Sequence, residues 1–173
     1  MAILSKGSFS VNLGLVKLSG DLSDQDRQCA WELYTELSTQ VALTGKQGDP
    51  KCTDFNGEVY AESLASVLAF FQEARRIMRG FPVGKLEQDV QNHLGVLINN
   101  VMADVLRPFL EKWQADYRHW WEHHSNPQLM PFQRQQGYPK LKEFLKDWSD
   151  VRKIMRGFQQ KLVRAYKLVE VRP

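Results

Sequence analysis

From Phe9 to Leu15 the apolar residues Phe9, Val11, Leu13 and Leu15 alternate with Ser10, Asn12 and Gly14, and a period of two is what a half-buried strand requires. Ser5-Lys6-Gly7-Ser8 before it reads as a turn. Ala2 to Leu4 could therefore fold back as a first strand, making residues 1–20 a small β-hairpin. The period then lengthens. Ser23 is a good N-cap, followed by Asp24 and Asp26 in the first turn, and opens a helix over 24–43 with Ala30, Leu33, Tyr34, Leu37 and Val41 as its buried stripe. Residues 44–57 hold Gly45, Gly48, Pro50 and Gly57, and a loop of this length is expected to be mobile or functional.

A second helix is predicted over 58–79, with Leu64, Val67, Leu68, Phe71, Ala74 and Met78 on one side and Gly80 and Pro82 as its stop. In the third, Val90, Leu94, Leu97, Val101, Val105, Phe109, Trp113, Tyr117 and Trp120 keep helical spacing straight through Pro108. This predicts one proline-kinked helix over 86–122, roughly 55 Å long at 1.5 Å per residue, with two helices breaking at Pro108 as the alternative. After a proline-bearing loop, Leu141, Phe144, Trp148, Val151, Met155, Phe158, Leu162 and Tyr166 define a last helix over 140–167. The alternating tail, Val169-Glu170-Val171-Arg172, could add a strand beside the hairpin. The expected fold is mainly α: one domain over 1–173, an antiparallel four-helix bundle carrying an N-terminal hairpin.

Composition adds limits. The chain has 173 residues, 43% of them apolar and 25% charged, so wholesale disorder and fibrous repeats are excluded. The longest stretch without a charged residue, Val90 to Ala103, contains Gln91, Asn92, His93, Asn99 and Asn100. It is too polar and too short to span a membrane. The first residues carry no basic segment followed by an apolar one, so a cytoplasmic protein with reduced Cys29 and Cys52 is expected.

Charge is unevenly placed: residues 1–60 carry 5 basic and 8 acidic groups, whereas residues 61–173 carry 18 and 12. Arg75-Arg76-Ile77-Met78-Arg79-Gly80-Phe81 is nearly repeated as Arg152-Lys153-Ile154-Met155-Arg156-Gly157-Phe158. With Met78 and Met155 toward the core, Arg75, Arg76, Arg79 and Arg152, Lys153, Arg156 should project outward as two candidate binding patches. Side by side they would suit nucleic acid; apart, each is an ordinary solvated face. The solvated face is favoured, because Glu73, Asp147 and Asp150 lie near enough to neutralise part of the charge.

Three segments carry a resemblance. Ala30-Trp31-Glu32-Leu33-Tyr34-Thr35-Glu36-Leu37-Ser38-Thr39, Arg75-Arg76-Ile77-Met78-Arg79 and Val105-Leu106-Arg107-Pro108-Phe109-Leu110-Glu111-Lys112-Trp113 resemble, in this order, a group of small uncharacterised bacterial helical proteins. The resemblance implies a bacterial origin and transfers no mechanism. The group continues its third segment with Lys-Trp-His-Pro, where this chain has Lys112-Trp113-Gln114-Ala115.

The densest polar cluster is Tyr117-Arg118-His119-Trp120-Trp121-Glu122-His123-His124. His119-x-x-Glu122-His123 matches the inverzincin pattern of two histidines and a water-activating glutamate, but no third ligand is evident. Arg118 and His123 resemble the Arg-polar-x-x-x-His signature of HEPN ribonucleases. That resemblance implies a histidine moving protons and an arginine stabilising the phosphorane. The competing reading is the last turn of a helix, where histidines favour the dipole. Cys29 reads as a small buried residue, Cys52 as an incidental loop thiol, and His93 as a hydrogen-bonded bundle histidine. Arg107 and Arg75 are within reach of carboxylates such as Asp104 and Glu73. No metal set and no cofactor are expected. These readings converge on a non-enzymatic helical bundle acting through a protein partner or self-association, as a subunit or accessory of a bacterial system such as antiviral defence. A HEPN-like ribonuclease and a nucleic-acid-binding accessory are the alternatives.

Overall fold

The computed structural model describes residues 3–6, 9–12, 24–80 and 94–169. The protein is mainly helical. Strands β1 (Ile3–Lys6) and β2 (Phe9–Asn12) pair antiparallel, with Ile3 opposite Asn12 and Lys6 opposite Phe9. Helices follow as α1 (Asp24–Thr39), α2 (Val41–Thr44), α3 (Tyr60–Gly80), α4 (Leu94–Val101), α5 (Arg107–His123), the short α6 (Pro131–Arg134) and α7 (Leu141–Tyr166). The expectations for Ala2, for the turn at 7–8, for 13–23 including Leu13, Leu15 and Ser23, for 81–93 including Pro82 and His93, and for 170–173 lie outside the described residues.

Helix α7 is the central post. It packs on α1, α2 and α5 and also meets both strands. Its amphipathic spacing buries Phe144, Trp148, Val151, Ile154, Met155, Phe158, Leu162 and Tyr166. At its middle the burial runs all the way round, from Asp147 to Arg152. Aromatic rings fill the space between α5, α7 and the start of α3. Tyr60, Phe109, Trp113, Tyr117, Phe144 and Trp148 are all buried, and pairs such as Phe109–Phe144 and Tyr60–Trp148 lie 6.3 and 6.2 Å apart between ring centres, within the favourable aromatic range.

The expected helix over 24–43 is in fact two. Gln40 takes an extended conformation, φ −114° and ψ 93°, and breaks it. Val41, expected in the stripe, is 45% exposed as a result. The long helix through Pro108 runs without a gap from Leu94 to His123, because residues Met102–Leu106 widen into a π-helical turn. Arg107 N–H donates to Met102 O, and the proline that follows has no N–H to satisfy. A π-turn is a known way of absorbing such a defect.

Candidate functional site

The break at Gln40 has a purpose in the packing. A single helical turn cannot satisfy its own carbonyls, so α2 offers Ala42 O and Thr44 O to other donors. Three side chains at four-residue spacing on α7 take them up. Trp148 Nε1 donates to Ala42 O at 2.8 Å, Arg152 Nε to the same oxygen at 3.2 Å, and Arg156 Nε to Thr44 O at 2.9 Å.

Both arginines go further into the loop. Arg152 Nη2 meets Glu58 Oε2 at 2.5 Å, and its guanidinium lies 4.0 Å from the centre of the Phe55 ring. Burial pulls the Arg152 pKa below its ordinary value, while the neighbouring Glu58 carboxylate opposes that shift. Arg156 donates to Asp49 O at 2.6 Å and to Lys46 O at 2.9 Å. Of the two expectations for this loop, mobile or functional, the bonds from α7 argue against the first, since they tie the segment over 45–57 to the central helix.

Its own residues are shaped for this. Gly45 has φ 69° and ψ 176°, a region open only to glycine, and a Cβ there would stand 3.1 Å from Arg156 Nη2. Asp49 accepts N–H bonds from Lys51 at 3.1 Å and Asp54 at 2.7 Å, so its carboxyl lies below the ordinary range, the Asp54 amide being the main cause. Cys52 is fully buried with φ 55°, its thiol 3.8 Å from Thr44 O. It is therefore a wall of the clasp that Arg152 and Arg156 form on this loop, and no incidental loop thiol; burial pushes its pKa up.

The second candidate patch is corrected accordingly. Arg152 is completely buried, Arg156 is turned inward onto three carbonyls, and Lys153 pairs with Asp150 at 3.1 Å. The physical reason is the row Phe144-Trp148-Arg152-Arg156, which follows the core face of α7. Trp148, four positions before Arg152, was the available signal. On α3, Arg75, Arg76 and Arg79 are exposed as expected. Arg76 is tied to Glu73 at 2.6 Å and Glu32 at 3.7 Å. Ile77 takes the buried position, and Met78 is half-buried. The six cations do not form one surface.

Arg118, His119, His123 and His124 are exposed at the end of α5. The rings of His119 and His123 stand 4.8 Å apart. Among the described residues, no group of three or more histidine, cysteine, aspartate and glutamate side chains is arranged to hold a metal ion. Arg107 pairs with Glu111 at 2.7 Å, not with Asp104 or Glu73. Cys29 is buried, as read from its helix position.

Two further features have no counterpart in the local sequence pattern. One is a cleft of about 750 Å³ beside the clasp, between α1, the 44–48 turn and α7. The other is the connection between α5 and α7, where Leu129, Met130 and Phe132 are 44%, 67% and 48% exposed. Among the described residues, no helix is long and apolar enough to cross a membrane. No family model, curated protein or solved structure matches this chain.

Proposed function

We propose that the chain is a non-enzymatic antiparallel helical bundle that acts through protein contacts, as a self-associating or accessory subunit. The observation that carries this reading is the apolar turn. Leu129, Met130 and Phe132 expose large side chains within four positions, and methionine and phenylalanine are enriched in interface cores. Two prolines, Pro127 and Pro131, stiffen the segment, and no charged residue occurs from Ser125 to Gln133. An uncharged patch meets its own copy without like-charge repulsion, so the occupant is a second copy of this chain related by a two-fold axis.

Sedimentation velocity on the full chain at micromolar concentrations tests it. The wild type should sediment as a dimer, and the double change Met130→Glu with Phe132→Glu should give a folded monomer. A wild-type monomer at every concentration, or a dimer indifferent to the double change, overturns the reading.

A further inference from the structure

The cleft beside the clasp carries chemistry of its own. Its lining includes three cations, Lys46, Arg156 and Arg164, and no acidic residue. Lys46 shares its charge with Asp54 at 3.0 Å. The other two are not compensated in this way. Arg156 bonds only to neutral carbonyls, which occupy three of the five N–H groups a guanidinium carries. Asp49, whose charge acts on Arg156, has both carboxylate oxygens committed to backbone amides. Arg164 is exposed on α7, eight positions beyond Arg156 and so on the same helical face. It has no carboxylate partner among the described residues.

Neutral donors stand between these charges. Gln159 and Gln160 line the same wall, and Gln159 Nε2 donates to Ser38 Oγ at 2.9 Å. We propose that this cleft binds an organic phosphate up to the size of a mononucleotide. Arg156 is half-buried and its hydrogen bonds all go to neutral carbonyls, so an anion in the cleft gains direct charge-assisted contacts with it and with Arg164. The exposed fork of Arg164 matches phosphate oxygens two at a time, and Arg156 has two N–H groups left for single hydrogen bonds. The volume lies within the range of small-molecule sites, so more than a bare ion is accommodated. The glutamine amides supply neutral hydrogen bonds for the rest of such a ligand.

Isothermal titration of the full chain with AMP, inorganic pyrophosphate and adenosine tests the assignment. AMP and pyrophosphate should bind one per chain, and adenosine should not. Arg164→Glu should weaken AMP at least tenfold and leave the fold intact, because Arg164 is exposed and has no ion pair among the described residues; Arg164→Gln serves the same purpose without reversing charge. Arg118→Glu makes the same charge change on α5, two positions from Asp116, which pairs with Lys140 at the start of α7; Lys140 lies roughly 36 Å from Arg164 along the α7 axis. The Arg118 change should leave AMP binding unaltered. Absence of AMP and pyrophosphate binding overturns the proposal. So does adenosine binding as tightly as AMP, or equal weakening by the Arg118 and Arg164 changes. None of these results bears on the apolar turn, which lies on another part of the molecule.

Discussion

Arg152 and Glu58, 94 positions apart, form an ion pair in which the arginine side chain is fully shielded from solvent and the glutamate is 10% exposed. The pair joins the middle of α7 to the entry of α3. Glu58 Oε2 also accepts from Ser63 Oγ at 3.1 Å, and Gln135 reaches over to donate to Glu58 O at 2.9 Å. The loop, the central helix and the α6 connection therefore meet at one residue.

Removing one partner of such a pair strands a buried charge. Glu58→Ala and Arg152→Ala are each expected to lower stability by about 3–5 kcal/mol. Arg152→Lys should recover little, because an ammonium cannot reach Ala42 O, Asp54 O and Glu58 together as the fork does. Urea denaturation at pH 7 measures all three.

Gly45→Ala is expected to cost about 1–3 kcal/mol from backbone strain alone, with a further loss because the new methyl crowds Arg156. Gly80→Ala has nothing within 4 Å of the added carbon and sits at the end of α3, so it should be neutral or slightly stabilising. Comparison of the two melting temperatures separates a conformational requirement from a mere change of composition.

Asp49 is bonded in the folded loop, so its pKa falls below the ordinary 3.8 on folding. A depressed carboxyl contributes stability above its unfolded pKa and loses that contribution as pH falls through the folded value. Wild type should therefore exceed Asp49→Asn in melting temperature at pH 7, since an asparagine amide cannot accept from both backbone N–H groups. The gap should shrink below about pH 4. A gap of constant size down to pH 2 would show that the carboxylate charge plays no part.

Arg118 and His123 both stand in solvent at the end of α5. Their alanine variants are expected to change stability by no more than about 0.5 kcal/mol. Single-stranded RNA incubated with wild type in the presence of EDTA should remain intact. Cleavage that disappears in both variants would reinstate the ribonuclease reading.

The sequence by itself determined where the long helices lie, though not the break at Gln40 or the short helix Pro131–Arg134, because apolar spacing is a local property. The stripe through Ala30, Leu33, Tyr34 and Leu37 and the row from Phe144 to Tyr166 emerge where the periodicity puts them, as does helical continuity past Pro108. Only the tertiary structure decided which charges are surface. Arg75 and Arg152 occupy matching places in near-identical heptapeptides, yet one is exposed and the other fully buried. The difference lies in what faces them. The extended residue Gln40 frees two carbonyls opposite α7, and Glu58 supplies a counter-charge from a distant segment. Neither leaves a mark in the local pattern around Arg152, since a hydrogen bond spanning about a hundred residues depends on how helices pack and not on their period.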